Sequence, residues 1–241
     1  MRQTLLKSGS LKSQIPDDGQ AEAQSRTVFG EARVSTSLHD RGEQLSAETL
    51  ELMLGVEQST SLGTAYATVY RIEPIGPSRQ AFSSETDYSI GLIVEAERFS
   101  ADVSANYLTY PGSDDEPSLE LAASIDVDLI FDPNISLFHD AHTSDSGVQV
   151  SAGPSRQLGG WDASARVLAG VVSLGDGSPN RTYGGVKVAG TRQLTRNLAL
   201  GMHASIDTAD RNTLSADVRH GHIQSMKRHG LSAGISLSYV N

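Results

Sequence analysis

No cysteine occurs in the 241 residues, which excludes a disulfide framework, a thiolate metal site and a cysteine nucleophile. There is also no run of eighteen apolar residues, so a transmembrane helix is excluded. Basic residues are scarce: 19 Lys and Arg stand against 29 Asp and Glu, a net charge of −10. That balance argues against nucleic acid as a partner, because phosphates need a basic surface. The opening stretch has Arg2, Lys7 and Lys12 and an A-x-A pattern at Ala21–Ala23, but only Leu5 and Leu6 between them. A secretory signal needs a run of about 7–15 apolar residues there. The expectation for residues 1–26 is a disordered polar tail or a degenerate export segment, with a single β domain over residues 27–241.

What is present from Arg26 onward is alternation. In "LALGMHASID" the apolar Leu198, Leu200, Met202, Ala204 and Ile206 are separated by Ala199, Gly201, His203, Ser205 and Asp207. The same period of two runs through "TLELMLGVEQ", "DYSIGLIVEAE", "SADVSANYLTY", "SLELAASIDVDLIF", "WDASARVLAGVV" and "LSAGISLSYV". Helical faces recur at three and four residues, so this pattern predicts strands. Twelve such segments begin near Thr27, Thr49, Leu62, Thr86, Phe99, Ser118, Asn134, Gly147, Trp161, Arg181, Asn197 and Gly230.

The connections alternate in length. Short ones fall at "STS", "ERFS", "FDPN", "LGGW" and "LTRN". Long ones include "HDRGEQLSAE", "EPIGPSRQAFSSE", "PGSDDEP" and "TADRNTLSADVRHGHIQSMKRH". Short turns at one end and long loops at the other, with an even strand number, predict an all-β fold. The expected architecture is a single closed antiparallel up-and-down transmembrane barrel of about twelve strands. Phe99, Phe131, Trp161 and Tyr239 lie near the short turns, whereas Tyr70, Tyr88, Tyr107, Tyr110 and Tyr183 lie near the long loops. Two interfacial aromatic girdles are expected from them. Twelve strands enclose a bore too wide for side chains alone to fill, so the apolar face is expected outward against lipid and the polar face inward against water.

The chain resembles the TorF-like porin family of proteobacterial outer membranes. The resemblance lies in "HDRGEQL" after the first strand, "NYLTYPG" (106–112), "FDPNISLF" (131–138) and "NRTYGGVKVAG" opening the tenth strand. It departs from that family in lacking an aromatic residue just before Arg41-Gly42. The resemblance implies an outer-membrane barrel with a transport role.

Inward parity selects Glu51, Glu57, Glu95, Glu97, Glu120, Asp126, Asp128, Arg166, Lys187, His203 and Asp207 as lumen-lining residues, with Glu31, Asp102, Asp162 and Arg33 on the same face. Acids outnumber bases among them, and crowded carboxylates are tolerable only where water and cations enter. The expected function is a passive channel for small cationic or polar solutes in the bacterial outer membrane. Its expected partners are the bilayer, lipopolysaccharide and the solutes themselves, with no cofactor and no metal. Two H-x-S pairs, His142/Ser144 and His203/Ser205, raise the alternative of an outer-membrane acyl hydrolase, in which His takes the Ser proton. Both pairs are expected to point inward, away from lipid. A further alternative is a non-catalytic structural barrel. His220, His222 and His229 with Asp217 are read as a solvated loop rather than a metal site. Arg211, Arg219, Lys227 and Arg228 of that loop are placed at the outer rim, within reach of lipopolysaccharide phosphates.

Overall fold

The computed structural model describes residues 26–241, so the expectation for the segment before them lies outside the described residues. In chain order the strands are β1 (Arg26–Ser35), β2 (Leu38–Asp40), β3 (Glu43–Ser46), β4 (Thr49–Thr60) and β5 (Gly63–Pro74). After a single 3-10 turn at Arg79–Ala81 come β6 (Glu85–Glu95), β7 (Phe99–Thr109), β8 (Ser118–Val127), β9 (Asn134–Asp140) and β10 (Ser146–Ala152). The chain finishes with β11 (Ser155–Leu158), β12 (Trp161–Ser173), β13 (Arg181–Gln193), β14 (Leu198–Ala209), β15 (Leu214–Arg219), β16 (His222–Lys227) and β17 (His229–Val240).

Neighbouring strands are antiparallel throughout, and β1 pairs with both β4 and β17, which closes the sheet into a barrel. The barrel has twelve positions, because β10 and β11 occupy one. Ala152 faces Val167 and Ser155 faces Ser164, so both pieces follow a single register along β12. Between them Pro154 has no N–H to give the ladder. Gly153 passes so close to β12 that a Cβ there would strike the Ala165 carbonyl. The remaining strands form two separate hairpins, β2–β3 and β15–β16, in the first and last long connections.

Hydrocarbon faces outward. Leu54, Ile90, Val103, Leu121, Val167, Ile206, Leu231 and Ile235 are all exposed on the outer surface, while Glu51, Asp102, Glu120 and Ser205 are buried within. A contiguous apolar exterior of this kind is stable against lipid and not against water.

Inside, aromatic rings lie over glycines directly opposite them on the neighbouring strand. Phe29 covers Gly55, Tyr66 covers Gly91, Phe138 covers Gly147 and Tyr183 covers Gly170. A Cβ at each of these glycines would stand 2.2–2.4 Å from the ring, so only glycine admits the ring flat against the wall. This arrangement restores packing that glycine otherwise denies a strand. It also corrects part of the aromatic expectation. Phe99, Phe131, Tyr88, Tyr107 and Tyr239 are exposed at the two rims, but Tyr70 and Tyr183 are buried in the bore.

Candidate functional site: an occupied bore

The first long connection turns inward. Its hairpin reverses at Arg41 (φ 48°) and Gly42 (φ 80°), the left-handed pair that a two-residue turn requires. At its base, Ser232 donates a hydrogen bond to the Ser37 carbonyl on one wall. At its tip, the Arg41 guanidinium grips the Glu120 carboxylate of β8 with two hydrogen bonds, the second at 3.1 Å, and stacks 3.4 Å from the centre of the Phe138 ring. In the barrel order, β8 and β17 stand six positions apart out of twelve, diametrically opposed. The hairpin therefore crosses the bore from wall to wall.

Apolar contacts hold it at both sides. Leu38 and Leu45 pack with Met53, Tyr70 and Ile72 of β4 and β5. Across the bore, Val172, Tyr183, Ala209 and Leu214 form a second buried cluster with Phe138 and Leu168. Gly42 lies against Tyr183 and Ala209 of that cluster, so closely that a Cβ would fall 2.8 Å from Tyr183 Cβ. Burying a leucine such as Leu38 contributes about 1.5–3 kcal/mol, enough to favour docking over a solvated loop. The last loop locks the arrangement from outside: Gln44 N–H donates to the Thr213 carbonyl, Thr213 Oγ1 donates to the Gly42 carbonyl, and Ala216 N–H donates to Gln44 Oε1.

His39 ties the hairpin to β14. Its Nδ1 lies 3.0 Å from Asp207 Oδ2 and its Nε2 lies 2.8 Å from Ser37 Oγ. A carboxylate only accepts, so Nδ1 donates to Asp207 while Nε2 shares a hydrogen bond with the Ser37 hydroxyl. Asp207 also accepts from Ser205 Oγ at 2.7 Å, and Gln44 Nε2 donates to Ser37 Oγ at 2.9 Å. The ring lies on Gly230, where a Cβ would come within 2.3 Å of it.

The inward bases of the barrel wall stand apart from most of its acids, although Glu31 of β1 and Asp207 of β14 are acids that stand among them. Strands β4 to β8 hold Glu51, Glu85, Asp87, Asp102, Glu120 and Asp126 on their inner face, and no base of those strands faces inward. Arg33, Arg166, Arg181, Lys187 and His203 come from β1 and β12 to β14. Glu51 accepts from Tyr70 OH at 2.5 Å and Ser35 Oγ at 3.2 Å, and lies 3.8 Å from Arg33, which also holds Glu31 at 2.6 Å. Asp102 accepts from Tyr66 OH at 3.0 Å. Arg181 donates to the Arg41 carbonyl and pairs with Glu43, so the hairpin is held by charge as well as by packing.

Of the residues that parity selected, Glu51 and Glu120 are buried in this network, and Asp207 belongs to the His39 relay. Arg166 donates to the Asp132 carbonyl at 2.7 Å and to Ser151 Oγ at 3.0 Å. Lys187 stands opposite it on β13, and the half-buried His203 ring lies against Gly234. Glu57 and Asp126 are half-buried towards the short-turn end. Glu95 is exposed at the end of β6, and Glu97 and Asp128 lie in the short connections beyond the strand ends, also exposed. Parity also marks Glu85, Asp87 and Arg181, which belong to the same face. Arg41 has no such signal, because its role depends on a fold that brings it across the bore.

Two histidine readings need correction or completion. His142 and Ser144 do not point inward from a strand. The strand ends at Asp140, whose carboxylate accepts the His142 and Thr143 N–H groups at 2.9 Å, and Ser144 follows in a left-handed turn (φ 61°). Among the described residues no group of three His, Asp or Glu is placed to hold a metal ion, and the 220–229 histidines sit at the exposed β15–β16 hairpin and its edge.

No family model matches the chain, and no curated protein sequence does. Solved structures match it in shape. The COG4313 outer membrane channel from Pseudomonas putida F1 superposes with a TM-score of 0.52 at 11% identity, covering 94% of this chain and 99% of that one. LpxR from Salmonella typhimurium and the NanC porin give TM-scores of 0.49 and 0.48, each at 10% identity over 89% of this chain and 99% of the other. At such identities the likeness is one of fold. With the apolar exterior described above, the fold is that of an outer-membrane β-barrel.

Proposed function

We propose that this barrel is a channel for small polar solutes, of the TorF-like porin kind, narrowed by its own first loop. The observation that supports this reading is the combination of a closed twelve-position barrel with a charged interior crossed by one hairpin. A scaffold that only filled a membrane would not need most of its buried carboxylates on one wall and its inward bases on the other. Such side chains set the selectivity of a wet bore. Acids exceed bases on the inner face, so the current should lean towards cations. Reconstitution in planar bilayers under a salt gradient tests this. Small cation-leaning unitary currents are expected, and an anion-leaning reversal potential would refute the acidic-bore reading. At the outer rim, Lys227 and Arg228 would meet lipopolysaccharide phosphates, whereas Arg219 already pairs with Asp217 at 3.3 Å.

One observation favours a second, catalytic reading. Ser37, His39 and Asp207 have the connectivity of a nucleophile, base and orienting acid. Against it, Ser37 is 6% exposed and its hydroxyl oxygen also lies 3.2 Å from the Ser46 carbonyl. The relay is better explained as a tether for the hairpin. An esterase activity abolished by Ser37→Ala, with the barrel intact, would reverse that preference.

A further inference from the structure

Arg166 and Lys187 face each other directly across the β12–β13 ladder. Like charges in that position repel unless something negative lies between them. Neither makes an ion pair among the described residues, in contrast to Arg33, Arg41 and Arg181. Arg166 uses one guanidinium nitrogen for the Asp132 carbonyl and Ser151, and its other nitrogens hydrogen-bond no described residue. Both side chains border a cavity of about 60 Å³ that the hairpin tip also lines, with Gln149 and Ser151 of β10 offering further polar atoms on the Arg166 side. These are the makings of an anion site: two cations lining one small cavity, one of them a guanidinium whose fork suits a planar carboxylate.

We propose that Lys187 and Arg166 form a subsite for the carboxylate of a small amphoteric solute, one that carries a cationic group beside it. The carboxylate answers the paired bases. The cationic group answers Asp207, which borders the same cavity, and the acid excess of the bore, which would repel a simple anion. A phosphate, with nearly two negative charges, is disfavoured by the same neighbour. This deepens the channel reading by naming the class of solute, and rests on that reading only for the route by which the solute arrives.

The test is nuclear magnetic resonance of ¹³C-labelled glycine with the full chain folded in non-ionic micelles. Protein-dependent line broadening is expected, displaced by unlabelled glycine, less readily by acetate and least by inorganic phosphate. Lys187→Gln should reduce the broadening about fivefold or more, since a charge-assisted contact is lost, whereas Arg196→Gln, at an exposed base in a short turn, should leave it unchanged. Heat-modifiable gel mobility confirms that each variant is folded. Equal broadening in the Lys187→Gln protein, or phosphate displacing better than acetate, would overturn the assignment. The measurement needs no conductance. Binding without current would sink the channel reading alone, and current without broadening would sink the subsite alone.

Discussion

The molecule contains two loop hairpins with the same turn chemistry and opposite fates. One reverses at Arg41-Gly42 (φ 48° and 80°) and the other at His220-Gly221 (φ 51° and 76°). Yet β2 is wholly buried in the bore, while β16 is almost wholly exposed. The turn therefore decides only that a hairpin forms. Where it goes is decided by its flanks and by what the barrel wall offers. Leu38 and Leu45 meet an apolar pocket of Met53, Tyr70 and Ile72, and Arg41 meets the buried Glu120. In the second hairpin Arg219 meets its own neighbour Asp217, a pair that draws it towards nothing. Leu214 is the exception: it is fully buried at the base and moors β15 to the wall.

The sharpest way to break this contrast is to remove each hairpin in turn. Replacing residues 38–46 by a short Gly-Ser linker should raise unitary conductance by roughly threefold or more, since it clears the bore. Replacing residues 217–226 should leave it within about 1.5-fold, because that part of the second hairpin lies outside the lumen and spares the Ala216 contact with Gln44. Equal effects of the two replacements in bilayer recordings would show that the crossing hairpin is not the constriction.

The ion pairs extend the comparison to stability. Arg41→Ala leaves the Glu120 carboxylate, itself buried, without its guanidinium partner, and breaking a buried pair costs about 3–5 kcal/mol. Arg219→Ala removes an exposed pair, for which about 0–1 kcal/mol is expected. Urea unfolding in micelles measures both, and a shift at Arg41 no larger than at Arg219 would deny the tip contact its anchoring role. The two turn glycines form a milder pair. Alanine at either position meets the cost of a left-handed φ, of order 1 kcal/mol. At Gly42 the new methyl also meets the fixed Cβ of Tyr183, whereas at Gly221 it meets the movable end of Gln80. Gly42→Ala should thus expose the first hairpin to protease while Gly221→Ala leaves the second unchanged in its susceptibility.

The barrel itself was legible because a strand in a membrane wall obeys a local rule. Each of the twelve segments alternates, and the short turns carry their own signals, as Gly159-Gly160 does with both φ positive. Parity then places Glu51, Glu120 and Lys187 on the inner face without any knowledge of their neighbours. It also marks Tyr183 as inward, although proximity to a loop made it look like a girdle residue. The interruption at Gly153-Pro154 hides inside a run that otherwise continues in register. The hairpin crossing was not legible, because Arg41 and Glu120 are 79 residues apart and meet only once the barrel closes. A strand pattern also says nothing of where a strand stops: Asp140 ends β9 through its own side chain, and the H-x-S pair beyond it falls in a turn.

The smallest expected effect concerns pH and again separates the two hairpins. Partial withdrawal of Glu43 from solvent raises its carboxyl above the ordinary value, and nearby Asp40 adds to this, while Arg181 pulls the other way without cancelling it. An undocked hairpin would return Glu43 to water and to its ordinary value. The docked state thus binds more protons in the window between those two values, so docking weakens as pH rises through it. Openings of the hairpin, read as brief high-conductance events, should become more frequent as pH rises above the ordinary carboxyl value and through the raised one. The change should be small, within about threefold, because the group is partly solvated and its charge screened. Glu43→Gln should abolish that dependence, and replacement of residues 217–226 should preserve it. A pH response that survives Glu43→Gln would assign the titration to another group and leave the docking of the first hairpin indifferent to this one.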